Sequence, residues 1–429
     1  MRHFRFALVL TLGATLPGVV LARSQAGTEK VIYSFLGGHD GSVPYNSLVS
    51  DAAGNLYGTT AEGGNSKCFS SGCGTVFELM PQKNGGWKKK ILYTFKGAAD
   101  GGAPQSALTF DAEGNLYGLA EEGGVVNSGC PYGCGVVYEL SPNANGTWTQ
   151  TVLYRFQDDT DGSGPAGNLI FAAAGNLYGA TVHGGGHNIG CSGDSCGTVF
   201  ELSPKAGGGW TETVLYRFQS GSDGSTPSGG VSLVSGNLYG TTLYGGASDS
   251  GTVFELKHAG NQWTESLLYS FMGGGNAGNP YGGLVFDAKA NIYGTLIGGG
   301  NGGGAVFELK RVGSGWKENI LYFFCTLNNC ADGDEPWGTL LADKNGNFYG
   351  TTALGGSATC PFGMAQCGTV FEMKHNRDGW KEIVLHQFGN SGDGFSPHSA
   401  VVFDTKGNLV GTTIYGGASN QGTVFEVQP

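Results

Sequence analysis

Seven times along the chain a Pro closes a loop, six times as Asp-Gly-x-x-Pro and once from Asn276, and the residue after that Pro varies: Tyr45, Gln105, Ala166, Ser228, Tyr281, Trp337 and His398. Four of the seven are aromatic or imidazole. Such a ring offers an apolar face for stacking on a sugar and a polar tip that can hydrogen-bond. Asn46 follows Tyr45, and His39 and Asp40 precede it in the same loop, so polar contacts accompany the rings. The chemistry that fits is recognition of a sugar ring by stacking and hydrogen bonds. The competing reading is that the rings pack beneath the loops as a small satellite core.

Residues that recur in every copy read differently. The loop carboxylates Asp40, Asp100, Asp161, Asp223, Asp332 and Asp393, with Asn276 in the fifth copy, could form a ring of Ca²⁺ ligands. Calcium takes six to eight oxygens, and one Asp per loop falls short unless carbonyls help. An Asp that caps backbone N–H groups of its own turn is expected instead. Glu78, Glu139, Glu201, Glu255, Glu308, Glu372 and Glu426 are also sevenfold. Acid–base catalysis needs two groups in unlike environments, so these are expected to be structural hydrogen-bonding partners between blades. His183 and His187 share a Gly-rich loop with Asp194, where a solvated loop is favoured over a metal site. No Ser-His-Asp or Gly-x-Ser-x-Gly context, nucleotide loop or metal-binding helix motif is present, so neither cofactor nor metal is expected. An exported lyase or hydrolase would have to use asymmetric loop groups such as His39, His398 and Asp334/Glu335. Its geometric signature would be two unpaired carboxylates, or a His and a Tyr, converging in one pocket.

The elements that position these residues come from one repeated phrase. Gly-Asn-Leu-Tyr-Gly-Thr-Thr, a Gly-Gly, Gly-Thr-Val-Phe-Glu-Leu, a Trp and Leu-Tyr-x-Phe recur with the Asn at 55, 115, 176, 237, 291, 347 and 408, a period of 54 to 61 residues. A fixed period means one supersecondary unit in tandem. In the second copy, Ala107–Asp111 and Leu116–Gly118 flank a Glu-Gly-Asn turn, Val136–Leu140 forms a third strand and Trp148–Phe156 a fourth. No segment sustains a 3.6-residue apolar pattern. Four antiparallel strands copied seven times predict an all-β, seven-bladed β-propeller over residues 27–429. Val31–Phe35 matches the fourth strand and Gly422–Val427 the third, so the N-terminal strand is expected to complete the last blade. The rings at 45, 281, 337 and 398 then lie on adjacent blades at the mouth of the central channel. The blade-joining loops and the Cys-bearing loops share that face, where variable loops on a rigid scaffold carry function.

The ten cysteines form five close pairs: Cys68/Cys73, Cys130/Cys134, Cys191/Cys196, Cys325/Cys330 and Cys360/Cys367. Local disulfides are expected, since the pairs sit in different repeats and lack zinc-ligand spacing. Arg2 and Arg5 precede an apolar run from Phe6 to Leu21, which reads as a signal peptide over residues 1–26 cleaved near Ala22 or Ala26. The expected location is secreted or periplasmic, with no membrane insertion and a monomeric state. A net charge of −11 with 23 Lys and Arg argues against a nucleic-acid surface, and 24 Phe, 18 Tyr and 7 Trp supply a core. A glycan or protein ligand outside the cell is the expected partner.

The run from Gly-Asn-Leu-Tyr-Gly-Thr-Thr to Gly-Thr-Val-Phe-Glu-Leu resembles the Gloeo/Verruco (GloVer) tandem repeat of bacterial extracellular proteins, over residues 31 to 429. The resemblance implies an exported, propeller-like protein and no particular reaction. Many members carry a C-terminal anchoring segment. This sequence ends at Val427-Gln428-Pro429 without one, which favours a soluble form.

Overall fold

In the computed structural model each repeat becomes a four-stranded antiparallel sheet, and seven sheets form a β-propeller. The structure describes residues 29–64, 68, 71–186, 196–260, 262–300, 302–356, 360, 366–389 and 392–429. The first blade runs from the inner strand Val49–Ser50 through Leu56–Thr60 and Thr75–Pro81 to the outer strand Trp87–Thr94. The last blade is Val402–Phe403, Leu409–Thr413 and Thr423–Val427, completed by Glu29–Ser34 from the other end of the chain. Val31 opposes Phe425 and Ser34 opposes Thr423, so the ring is closed as expected. The signal peptide and its cleavage sites lie outside the described residues.

The repeated phrase is legible as a set of contacts between blades. The Phe just after each outer strand packs on an aromatic ring of the next blade's third strand: Phe35 on Phe77, Phe156 on Phe200 and Phe388 on Phe425 meet edge-on with ring centroids 5.0 to 5.2 Å apart. All of these rings are fully buried. Burial contributes about 1.5–3 kcal/mol per ring, and an edge-to-face pair adds roughly 0.5–1.5. The Gly before Thr-Val-Phe is held at positive φ against the next blade's loop Pro. A Cβ on Gly422 would lie 2.5 Å from Pro44 Cδ, and one on Gly251 equally close to Pro280. The first Thr of Gly-Thr-Thr also reaches the next blade: Thr351 Oγ1 donates to Ser399 O at 2.7 Å, and Thr412 Oγ1 to Asn46 O at 3.2 Å across the closure.

The loop aspartates behave as turn caps. Asp40 accepts the Leu36 N–H at 2.9 Å and the Tyr33 hydroxyl at 2.8 Å, and Asp100, Asp161, Asp223 and Asp332 repeat this pattern. The sevenfold Glu is structural too, but within a blade rather than between blades. Tyr57 and Glu78 are direct cross-strand partners, and the Tyr57 hydroxyl donates to Glu78 at 2.9 Å. Side chains on one face of facing strands are the nearest available donors. Inner strands are shorter than the sequence suggests. Thr109–Phe110 replaces the expected Ala107–Asp111, because Ala107 bridges to Asn168 of the next blade and Asp111 turns inward to cap Glu113 and Asn115.

Four disulfides join Cys68–Cys73, Cys130–Cys134, Cys325–Cys330 and Cys360–Cys367, each within its local pair. Cys196 is disulfide-bonded, and Cys191 lies outside the described residues. Disulfides of this kind belong to an oxidising compartment, outside the cell or in the periplasm. Among the described residues no helix is long and apolar enough to cross a membrane.

Candidate functional site

The segment after each loop Pro runs along the central channel. In blades four to seven these segments approach backbone to backbone through glycine: a Cβ on Gly229, Gly282 or Gly338 would come within 2.6 to 3.0 Å of the neighbouring main chain. That closeness brings the variable residues together. Tyr281 and Trp337 have ring centroids 4.5 Å apart, Trp337 stacks on His398 at 4.8 Å, and His398 meets Tyr45 edge-on at 5.2 Å. Tyr45 and Tyr281 lie near enough to affect each other's ionisation, so the four rings form one contiguous cluster. Each is half-buried, and all four line a cavity of about 520 Å³, within the range usual for small-ligand sites. Gln105, Ala166 and Ser228, the residues at this position in the other three blades, line the same cavity.

Neighbouring groups hold these rings in place. The Trp337 indole N–H donates to Glu335 at 3.1 Å. His398 Nε2 shares a 3.1 Å hydrogen bond with Ser396 Oγ, while its Nδ1 is buried without a partner. Burial pulls the His398 pKa down to about 4, so the ring is neutral at physiological pH. Burial, then the neighbouring Tyr281 and Glu121, pushes the Tyr45 phenol upward, so it keeps its proton. Asn46 lines the same cavity and donates to Gln105 O at 2.6 Å.

Not every candidate joins the site. His39 is exposed on the short turn Gly38–Asp40 and does not line the cavity. Asp334 and Glu335 lie behind Trp337 in the blade-joining loop, also outside the lining; burial beside Glu335 raises Asp334 to about 6. His183 lines a separate, smaller pocket with Glu122 and Tyr132, while His187 and Asp194 lie outside the described residues.

One channel residue was missed in the sequence. Glu121 lines both this cavity and the smaller pocket and lies close enough to oppose ionisation of Tyr45 and Tyr281. Burial raises its pKa above the usual carboxylate range. The other copies place Ala61, Val182, Leu243, Ile297, Ala353 and Ile414 at this position. A carboxyl at an otherwise apolar sevenfold position was the available signal.

A model of the Gloeobacter/Verrucomicrobia repeat matches residues 13–192, 191–360 and 317–429. The chain belongs to the Gloeobacter/Verrucomicrobia repeat family. No curated protein sequence matches this repeat propeller. Among solved structures it is similar to a Thermus thermophilus protein whose assignment as an oxidoreductase (glucose dehydrogenase) is itself provisional. The two are 17% identical, over 76% of this chain and 96% of that one, with a TM-score of 0.46. That likeness carries no argument about the chemistry of this Gloeobacter/Verrucomicrobia repeat protein.

Proposed function

We propose that the protein is an exported, non-catalytic binding module whose channel mouth takes an extracellular glycan. The observation that carries this reading is the meeting of Tyr45, Tyr281, Trp337 and His398 on one cavity wall. Repeats that need a residue for folding keep it in every blade, whereas here the residue differs and the rings gather. Part of each ring is spent on its neighbour. The remainder faces a cavity with neutral aromatic walls and with Asn46, Gln105 and Glu121 as polar contacts. Such a lining suits an uncharged sugar better than a polyanion.

The convergence of His398 and Tyr45 in one pocket favours a second reading, a sugar-active lyase. Against it, His398 is a weak base at a pKa of about 4, and Tyr45 resists ionisation. A hydrolase would need two carboxylates flanking the bond, and Glu121 is the sole carboxylate among the described cavity residues. A glycan array followed by product analysis separates the readings. Binding without turnover supports the module, turnover of a bound glycan supports the enzyme, and no glycan bound at all defeats both.

A further inference from the structure

At most blade junctions three side chains meet: an outer-strand Tyr, the loop Asp (Asn276 at the fifth), and the residue two after the next outer strand's Trp. At the first junction that third residue is Lys89. Its ammonium is bonded to the Asp40 carboxylate at 3.1 Å and to the Asp40 main-chain oxygen, with the Lys89 side chain 5% exposed. The pocket of oxygens is therefore filled by a covalently supplied cation. At the ring-closing junction one residue is peculiar to it. Glu29 stands where Lys89 stands, as Glu212, Glu265, Glu318 and Glu382 do at four other junctions, but His386 replaces the Tyr found at the six others. His386 Nε2 lies 3.0 Å from Asp393 Oδ2, and ligand atoms of Glu29, His386 and Asp393 all lie within 4.8 Å of one another. His386 and Asp393 side chains are 10% and 3% exposed, and Glu29 Oε1 is buried with no hydrogen-bond partner, as is the Oε1 of Glu212, Glu265, Glu318 and Glu382, so the imidazole is what this junction adds.

We propose that this junction is a divalent metal site of the zinc class, ligated by His386 Nε2, Asp393 and Glu29. Two ligand atoms each about 2.1 Å from a zinc ion lie roughly 3–4 Å apart, a spacing these groups reach with small adjustments. One imidazole and two carboxylates match that ion class, whereas calcium wants a shell of six to eight oxygens. At the other Glu-bearing junctions a phenol hydroxyl donates to the loop Asp, or to Glu318 at the fifth, instead of offering an imidazole nitrogen, which sets this junction apart. The ligands come from the sixth blade's outer strand Gly379–Gln387, the loop after it and the N-terminal strand. A bound ion would staple the N-terminal strand into the ring. The site is separate from the channel and independent of the glycan reading.

The test is calorimetric titration of the exported chain, freed of metal with EDTA, with Zn²⁺ and separately with Ca²⁺. One Zn²⁺ per chain at micromolar affinity or tighter is expected, with a rise in melting temperature. His386→Tyr, which installs the residue of the other junctions and should fold, is expected to weaken binding by at least the roughly 10- to 100-fold that losing an outer-shell partner costs. Glu29→Gln should weaken it in the same direction. Absence of stoichiometric Zn²⁺ uptake by the wild-type chain, a preference for Ca²⁺, or uptake unchanged in His386→Tyr with native near-UV circular dichroism would each overturn the proposal.

Discussion

Tyr138 occupies the position where the other six blades carry Phe, and its hydroxyl is fully buried without a hydrogen-bond partner. Leaving a buried donor unpaired costs about 1–3 kcal/mol. Tyr138→Phe removes the cost and keeps the edge-on contact with Phe95. The expected outcome is a gain of roughly 1 kcal/mol in unfolding free energy, read from the urea midpoint at unchanged slope; a loss would mean that the hydroxyl is satisfied. Registering the repeats against one another was also what made the channel residues visible. Tyr45, Tyr281, Trp337 and His398 stood out because a variable position follows an invariant Pro. Glu121 did not, since Glu121-Glu122-Gly123-Gly124 reads as an ordinary variant of Ala61-Glu62-Gly63-Gly64. His39 was drawn in by its nearness in sequence to Asn46, yet the turn Gly38–Asp40 carries it outward.

At the scale of elements, the glycines of the repeat fall into two kinds that sequence cannot separate. Gly251 and Gly236 have nearly the same φ, +89° and +86°, but a Cβ on Gly251 would lie 2.4 Å from Thr242 O and 2.5 Å from Pro280, while Gly236 has open space. Gly236→Ala should cost about 1–2 kcal/mol for the left-handed backbone alone. Gly251→Ala should cost roughly 1–3 kcal/mol more, because it wedges two blades apart. Equal losses in chemical denaturation would show that the Pro contact does not join blades. The outer strands supply a pH dependence. Burial, then the adjacent loop Asp, raises Glu212 and Glu265 to about 7 and Glu382 to about 8, against an ordinary value of 4.5. The folded chain thus holds these protons more tightly than the unfolded one, so their stabilising contribution is complete below about pH 4.5 and lost as pH rises through about 7 to 8. His398 works in the opposite direction, its contribution being lost as pH falls from 6.5 toward 4. Melting temperature should therefore fall between about pH 6 and pH 8, and Glu382→Gln should flatten that slope; a rising or flat profile in the wild type would contradict it. The strand pattern and hairpins were legible because alternation and Asp-x-x-Gly-Asn turns are local. The sevenfold Glu was misplaced between blades because its partner, Tyr57 in the first copy, is set by cross-strand register, which spacing along the chain does not reveal.

For the molecule as a whole, closure depends on the N-terminal strand. Glu29–Ser34 pairs with Thr423–Val427, Phe35 packs on Phe77, and Pro44 packs on Gly422. Phe35→Ala should cost about 3–5 kcal/mol, as for other buried aromatics, and removal of residues 29–35 should abolish the cooperative transition seen by calorimetry. A truncated chain that melts like the full one would show that the seventh blade stands alone. The ring was readable from the complementary ends of the repeat, whereas the nearness of four rings in the channel required the glycine-mediated approach of blades four to seven. Whether those rings serve a ligand is most directly tested by titrating the strongest glycan from the array into the wild type and Trp337→Ala, with melting temperature measured alongside. A stacked ring contributes on the order of 1 kcal/mol, so several-fold weaker binding at unchanged melting temperature is the expected result. Equal affinity of the two proteins for that glycan would contradict the account.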